Sequence, residues 1–153
     1  MLEFFIVVII IVIDQISKYL ATIYLKPIGS FVILKKVFSL AYVENRGAAF
    51  GILQNERWLF IVLTIIISIA IACYLIFNRN ESLILRISLS MILGGAIGNL
   101  IDRIKQGYVV DMFHFTLIDF PVFNVADSFI VIGTILLGYY ILFMAEKEGK
   151  TIV

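Results

Sequence analysis

The sequence contains very few of the residues on which common catalytic sites depend. It has one cysteine and one histidine among 153 residues. A single cysteine excludes an internal disulfide, and Cys73 lies inside an apolar run that would not activate a thiol. Serine and cysteine triads need a histidine base, and the only histidine is His114. Ser128 has no evident Lys or His partner in the sequence. Carboxylates are therefore the remaining candidates for catalytic groups.

Charged residues are also scarce. They make up 15% of the chain and give a net charge of +1, which provides no argument for nucleic-acid binding. Hydrophobic residues make up 62% of the chain, whereas soluble domains are about 45–50% apolar. A soluble fold of this size could not bury so much apolar surface. We therefore expect an integral membrane protein.

Four segments are long and apolar enough to cross about 30 Å of hydrocarbon. They cover residues 4–24, 58–77, 83–101 and 124–144. No Lys or Arg precedes the first apolar run and no small-residue cleavage site follows it, so we interpret it as a retained helix. No internal repeat or low-complexity linker interrupts the chain. We therefore expect one membrane-embedded domain over residues 1–153.

The connection between the first two spans, residues 25–57, contains a β-branched and aromatic segment at residues 30–43. Its patchy alternation predicts a small antiparallel sheet on the membrane surface, where strands can hydrogen-bond to each other and to water. The predicted fold is therefore an all-α integral membrane protein with four transmembrane helices and a small β-sheet between helices one and two. Four spans place both termini on one side and the first and third connections on the other.

The basic residues do not decide which side is which. Lys and Arg are more numerous on the connections opposite the termini, so the positive-inside rule taken literally would put the termini outside the cell. Some of these residues, Arg46 and Arg103 among them, belong to motifs that contain candidate site residues. The charge count is therefore a poor guide to orientation in this chain.

Ionisable residues inside a membrane helix are costly and are candidates for a functional site. Asp14 and Lys18 lie four residues apart on one face of the first helix, either as an ion pair that fixes helix packing or as support for a site. Asn99, Asp102 and Arg103 follow one another at i, i+3 and i+4 on the third helix. Asp102 and Arg103 could also form a plain interfacial ion pair.

Glycines accompany the polar residues of the third helix. Gly94 and Gly98 have the small-xxx-small spacing that lets a neighbouring helix approach closely. Gly47 lies beside Asn45 in the turn sequence ENRGAAFGI, whose small residues also permit close backbone approach. We expect both glycine motifs to bring backbone segments near the polar residues.

The stretch VVDMFHFTLIDFPVFNVAD, residues 109–127, contains an acid at each end. Asn124 is a plausible N-cap of the fourth helix with Asp127 at N3, so Asp127 is either a capping acid or a catalytic one. Two carboxylates held about 3 Å apart cannot both ionise. The ionised member of an Asp111–Asp127 pair could take a proton from water while the other donates to a scissile carbonyl. This chemistry hydrolyses an amide without a covalent intermediate.

Two other functions are compatible with these residues. Asp111, His114, Asp119 and Asp127 form an acid-plus-histidine cluster that could hold a divalent ion. Intramembrane acids with Asn and Lys partners are also typical of ion- or proton-coupled transporters. Against a transporter, the acids cluster at one membrane face rather than at the midplane, and the sequence has no inverted repeat.

Five ordered motifs resemble those of the bacterial lipoprotein signal peptidases, the type II signal peptidases, which are integral membrane aspartic peptidases. They are DQISK, NRGAAFG, GGAIGNLIDR, VVD and FNVADS. The resemblance implies that Asp111 and Asp127 are the catalytic dyad, and that His114 and Asp119, in a variable segment, are dispensable. The supporting residues that it implies are Asp14, Lys18, Asn45, Gly47, Asn99, Asp102, Arg103, Asn124 and Ala126.

The resemblance also implies a substrate, partners and a location. The substrate is a prolipoprotein whose lipobox cysteine carries diacylglycerol, and the cut is on the N-terminal side of that cysteine. No cofactor or metal is implied, and the inhibitor is the cyclic peptide globomycin. Both termini are expected in the cytoplasm, with the active site near the outer face of the cytoplasmic membrane. We expect a monomer in membrane lipid, with residues 25–57 covering the bound peptide.

Overall fold

The structure, a computed structural model, describes residues 1–47, 54–118 and 120–145. In this part of the chain, four helices are long and apolar enough to span a membrane. They are α1 (Leu2–Leu20), α2 (Arg57–Phe77), α3 (Leu83–Lys105) and α4 (Val125–Phe143). The four predicted spans are confirmed. The largest difference is at the C-terminal end of α3, which continues to Lys105, four residues beyond the predicted apolar span.

A three-stranded antiparallel sheet accompanies the helices, with strand order β1-β2-β3. Strands β1 (Ser30–Leu34) and β2 (Phe38–Asn45) confirm the sheet predicted between helices one and two. Strand β3 (Val109–Phe115) comes from the connection between α3 and α4, where no strand was predicted. It pairs with β2 and joins the first and third connections in one sheet.

The two faces of β3 have different surroundings because successive side chains on a strand point to opposite sides. Val110 and Met112 are 1% and 4% exposed and pack against Ala21 and Leu25. The latter two belong to a π-helical turn, Ala21–Leu25, that continues α1. Asp111 lies between the two apolar residues and is therefore directed to the other face of the sheet.

Helix α3 is the centre of the bundle and packs against α1, α2 and α4. Its glycines permit these contacts. A Cβ atom on Gly95 would lie 2.4 Å from the carbonyl oxygen of Ala126, and one on Gly98 would lie 2.6 Å from Asp14 Oδ2. A Cβ atom on Gly94 would lie 3.0 Å from Ile10 Cβ. The predicted close approach at Gly94 and Gly98 is confirmed, and Gly95 extends it to the start of α4.

The C-terminal end of α3 is fixed by a residue from α2. Arg57 donates from Nε to the carbonyl oxygen of Arg103 at 2.7 Å and from Nη2 to that of Ile104 at 2.9 Å. Carbonyl groups in the last turn of a helix have no partner within the helix, so a cation at this position satisfies them. This contact holds the last turn of α3, which contains Asp102 and Arg103.

Candidate active site

A cavity of about 700 Å³ lies between β3, the C-terminal half of α3 and the first turns of α4. Its polar lining comes from Asn45, Gly47, Asn99, Arg103, Asp111, Asp127 and Ser128. Its apolar lining comes from Phe60, Val109, Phe115, Ile118, Phe120, Pro121, Val122, Phe123, Ile130, Val131 and Ile132. The structure thus brings the two acids of the 109–127 stretch to one cavity, together with four of the nine supporting residues.

Asp111 is held on β3 by two asparagine side chains. Asn45 Nδ2 donates to Asp111 Oδ2 at 2.9 Å, and Asn124 Nδ2 donates to Oδ1 at 2.7 Å. The carboxyl is 1% exposed. Burial, and next the negative charge of Asp127, raise the pKa of Asp111 from 3.8 to about 7, although both asparagines favour the ionised form. Asp111 therefore retains its proton up to neutral pH.

Asp127 occupies the first turn of α4. It forms a capping box with Asn124, in which Asn124 Oδ1 accepts from Asp127 N at 2.9 Å and Asp127 Oδ2 accepts from Asn124 N at 3.2 Å. Its other oxygen, Oδ1, accepts from Asn99 Nδ2 at 2.7 Å. The N-terminus of a helix favours a negative charge. Asp127 is thus a capping acid and also lines the cavity, so the two sequence interpretations are compatible.

The three asparagines present their NH₂ groups to the two acids because their oxygens are already bonded. Asn45 Oδ1 accepts from a backbone N–H, and so does Asn124 Oδ1. Asn99 Oδ1 accepts from Lys18 Nζ at 2.8 Å. Each amide has only one oxygen and one NH₂ group, so these bonds fix its orientation. Every oxygen of the two carboxylates consequently accepts an N–H donor.

Asp14, Lys18 and Asp102 form a buried ion cluster that does not line the cavity. Lys18 Nζ lies 2.8 Å from Asp14 Oδ2 and 3.0 Å from Asp102 Oδ2, and all three residues are at most 4% exposed. Asp14 Oδ1 also accepts from the backbone N–H of Ala126 at 2.9 Å. The ion pair of α1 therefore fixes helix packing and also contacts the start of α4, which carries Asp127.

Asp102 and Arg103 have separate surroundings, and the ion pair of Asp102 is with Lys18. Arg103 faces the cavity instead. It donates from Nη2 to the carbonyl oxygen of Gly47 at 3.2 Å, and its guanidinium lies 4.9 Å from the centre of the Phe60 ring. Its charge is also close enough to interact with both Asp127 and Asp111. Asn99 and Arg103 thus line the cavity, whereas Asp102 does not.

Aromatic rings form a continuous group from the sheet to the cavity. The Phe38 ring lies 5.0 Å from that of Phe115, and the Phe115 ring lies 5.9 Å from that of Phe123. The Phe123 ring in turn lies 5.5 Å from Phe113 and 5.7 Å from Phe120. Such pairs are stabilising beyond their buried area. They form an apolar wall of the cavity next to Asp111 and Asp127.

His114 is not directed to the cavity. It lies three residues from Asp111 on a regular strand, so the two side chains are on opposite faces of β3, and it pairs with Ser39 of β2. Asp119 lies outside the described residues. Within those residues, no group of three or more His, Cys, Asp or Glu side chains could hold a metal ion. The geometry therefore gives no support to the acid-plus-histidine cluster.

Sequence reasoning missed three features of the site. The strand β3 was treated as a connection, although residues 109–115 are rich in valine and phenylalanine, which favours a strand. The contact of Gln15 Nε2 with Asp102 Oδ1 at 3.0 Å was not predicted, although an amide in an apolar helix was a usable signal. The contact of Arg57 with the last carbonyl groups of α3 could not be predicted from the sequence, since it depends on how α2 packs against α3.

The family model described as signal peptidase (SPase) II matches residues 6–143. The chain belongs to the signal peptidase II family. The lipoprotein signal peptidase of Caldanaerobacter subterraneus subsp. tengcongensis is 54% identical over 139 residues, which cover 90% of this chain and 94% of the relative. The lipoprotein signal peptidase of Clostridioides difficile is 42% identical over 148 residues, which cover 97% and 99%.

Solved structures agree with this assignment. A bacterial membrane enzyme determined by the in meso method at 2.3 Å resolution is 33% identical, with a TM-score of 0.83 over 99% of this chain and 92% of the other. A second, at 1.9 Å, is 36% identical, with a TM-score of 0.83 over 93% of each chain. The family resemblance and the predicted fold are confirmed. This signal peptidase II family member is a multi-pass membrane peptidase, and the transporter alternative is wrong.

Proposed function

We propose that the chain removes the signal peptide from diacylglyceryl-modified prolipoproteins as an aspartic endopeptidase, cutting on the N-terminal side of the lipidated cysteine. One observation carries the catalytic part: Asp111 and Asp127 face one cavity and are joined through Asn124, which donates to both. The relatives' name, lipoprotein signal peptidase, supports the substrate class. Residues 1–153 act as a single peptidase domain.

The acid and base roles within this dyad, Asp111 and Asp127, follow from their surroundings. Asp127 is assigned as the base, because the helix N-terminus and the N–H donors favour a negative charge at its position. Asp111 is assigned as the acid, because it is buried on a strand and its pKa is raised to about 7.

The reaction needs only a water molecule in addition to the dyad. Asp127 takes a proton from the water as its oxygen attacks the carbonyl carbon of the scissile amide, and Asp111 gives its proton to the carbonyl oxygen. The tetrahedral intermediate then releases the amine of the lipidated cysteine, which takes the proton held by Asp127. The carbonyl forms again as a carboxylic acid and returns a proton to Asp111. No covalent link to the enzyme forms.

The supporting residues act on the dyad in two ways. Asn45, Asn99 and Asn124 orient the carboxylates by direct donation. Arg103 places a positive charge at the cavity and holds Gly47 at its rim. The remaining supporting residues act from behind the cavity and fix α1 and α3 against the start of α4; they are Asp14, Lys18, Asp102 and Ala126.

The membrane setting proposed is the cytoplasmic membrane, with both termini in the cytoplasm and the dyad near the outer face. The dyad lies near the C-terminal end of α3 and the N-terminal end of α4, at the opposite end of the bundle from the start of α1 and the end of α4. The enzyme acts as a monomer in membrane lipid and is inhibited by globomycin. The first connection covers the bound peptide, although residues 48–53 of it lie outside the described residues.

The test is cleavage of a purified diacylglyceryl-modified prolipoprotein in detergent with excess chelator. Asp111→Asn and Asp127→Asn should each reduce kcat by about 10²–10⁴-fold, because each removes a proton-transfer group. His114→Gln is the matched control in the same strand as Asp111 and should cleave like the wild type.

All variants are compared at equal folded yield. If either aspartate variant keeps wild-type kcat, the dyad assignment is wrong. If the chelator stops the wild type, the reaction depends on a metal ion. Failure of the folded wild type to cut a lipidated substrate would contradict the substrate class.

A further inference from the structure

The buried ion cluster reaches the dyad through a single amide group. Lys18 Nζ on α1 lies 2.8 Å from Asn99 Oδ1, and Asn99 Nδ2 lies 2.7 Å from Asp127 Oδ1. Lys18 is 4% exposed. Its ammonium has three N–H bonds, and the structure gives them three acceptors on Asp14, Asp102 and Asn99. A continuous chain of charge-assisted hydrogen bonds thus runs from α1 to one member of the dyad.

The ammonium and the Asn124 side chain, whose Nδ2 donates to Asn99 Oδ1 at 3.2 Å, together decide which way the Asn99 amide points, and the ammonium makes the shorter and charged contact. With the amide reversed, its NH₂ group would face Lys18 and its oxygen would face the Asp127 carboxylate, so that both contacts would be repulsive. Asn99 is 7% exposed, and little water can replace a lost partner. Lys18 therefore keeps an N–H donor aimed at Asp127.

This arrangement treats the two members of the dyad differently. The asparagines that donate to Asp111 have their own oxygens bonded to backbone N–H groups, which carry no net charge. The asparagine that donates to Asp127 has its oxygen bonded to a cation. Hydrogen bonds polarise one another along a chain in a low-dielectric interior, so Asn99 is the stronger donor.

We propose that Lys18 is a positioning residue that, through Asn99, holds an N–H donor against Asp127 Oδ1 and so orients the base of the dyad. The proposal rests on the proposed function, because it concerns the residue assigned there as the base. Lys18 does not line the cavity and does not touch substrate. Its effect on the reaction is transmitted through Asn99.

Other charges also act on Asp127. Among the described residues, Asp111 faces it from β3 and Arg103 from α3, while Asp14 and Asp102 lie beyond Asn99 with Lys18. None of these fixes the Asn99 amide. Without Lys18, the Asn99 amide can reverse, and Asp127 then loses the fixed donor that orients its carboxylate. The loss should appear in kcat, because Asp127 acts as the base in the chemical step.

The test is a double-mutant cycle on Lys18→Met and Asn99→Ala, assayed with the lipidated substrate. Each single variant should lower kcat by about 10- to 100-fold, the range of one hydrogen bond to a charged group. KM should change by less than about twofold, since no ground-state contact is removed. The double variant should be no worse than either single one, because both changes break the same chain.

Two controls separate this role from plain stabilisation. Ser88→Ala removes a buried hydrogen bond of α3, from Ser88 Oγ to the carbonyl oxygen of Leu85, without touching Asn99, and it should keep wild-type kcat. Lys18→Met/Asp102→Asn restores the net charge of the cluster, so it should fold even if Lys18→Met alone does not. It still lacks the donor to Asn99, and should remain slow.

The outcomes are distinguishable. A folded Lys18→Met/Asp102→Asn variant with wild-type kcat would reduce Lys18 to a packing residue. Additive losses in the cycle would show that Lys18 does not act through Asn99. A wild type that fails to cut the lipidated substrate would overturn the proposed function together with this inference. If the wild type cuts the substrate and the Lys18 and Asn99 variants have wild-type kcat, this inference is wrong and the proposed function stands.

Discussion

Two pairs of carboxylates lie in the described part of the bundle, and they are held by different partners. Asp14 and Asp102 share the ammonium of Lys18. Asp111 and Asp127 share Asn124, and their direct donors are amides and backbone N–H groups. A full cation between two acids joins them in an ion cluster, and the group is then structural. Neutral donors orient two acids and leave one proton to move between them, which is what the proposed chemistry needs.

The largest expected effect on stability comes from breaking the first pair. Asp14→Ala should lower the free energy of unfolding by about 1–3 kcal/mol, because it removes the acceptor of the buried Ala126 N–H and one of the partners of Lys18, while Asp102 still pairs with Lys18. Asp14→Asn keeps a side-chain acceptor and should lose less. Thermal unfolding in detergent measures both.

Asp111→Asn provides the comparison for that stability measurement. It introduces no charge and keeps one oxygen for Asn45 or Asn124, so it should lower the free energy of unfolding less than Asp14→Ala does. Equal losses from Asp14→Ala and Asp111→Asn would mean that the two pairs do not differ in role.

A smaller effect should come from changing one neutral donor of the second pair. Asn45→Ala removes the N–H donor to Asp111 Oδ2 and should lower kcat/KM about tenfold. Asp111 must be protonated to act as the acid, so wild-type kcat/KM should fall as pH rises through about 7. Asn45 favours the ionised form of Asp111. Its loss should therefore raise the pKa of Asp111 and move the fall in activity to higher pH.

The measurement is kcat/KM of both proteins from acid to alkaline pH with one lipidated substrate. A variant with the same alkaline limb as the wild type would mean that Asn45 does not control the proton on Asp111. Glu44→Gln, on the same strand, serves as a control because the Glu44 side chain points to the face opposite that of Asn45 and contacts Lys26.

The smallest effect should come from an ion pair on the surface of the same sheet. Lys26 Nζ lies 3.1 Å from Glu44 Oε1, and the Lys26 side chain is half exposed. Solvent and salt screen such a pair, so Glu44→Gln should leave the Tm unchanged within error. Thermal unfolding at low and high salt measures this. A clear drop in Tm would show that this pair supports β2, the strand that carries Asn45.

The sequence allowed the helices and the acids to be predicted, but not the contacts between them. Hydropathy gave four spans, because each is a local property of about twenty residues. The pairing of Asp111 with Asp127 followed from the family motifs. The bond from Lys18 to Asn99 could not be predicted, since the two residues lie far apart in sequence. It depends on α1 approaching α3 at Gly98, where no side chain intervenes.

The strand β3 could not be placed for a related reason. The composition of residues 109–115 favours a strand, but a strand is stable only beside a partner. Its partner β2 belongs to the first connection, which is distant in the sequence. The orientation of Asp111 toward the cavity follows from that pairing. A slip of one residue would direct the acid to the opposite face of the sheet.

The spacing of Asp14 and Lys18 has a consequence for how the chain enters the membrane. Helix α1 is made first, long before α3 supplies Asp102 and Asn99. A lone charge at the centre of an inserting helix costs about 2.5–3.5 kcal/mol. Because Asp14 and Lys18 lie one turn apart, they can neutralise each other while α1 is alone in lipid. The first helix thus inserts with its own counter-ion, and Lys18 gains Asp102 and Asn99 as further partners when the third helix arrives.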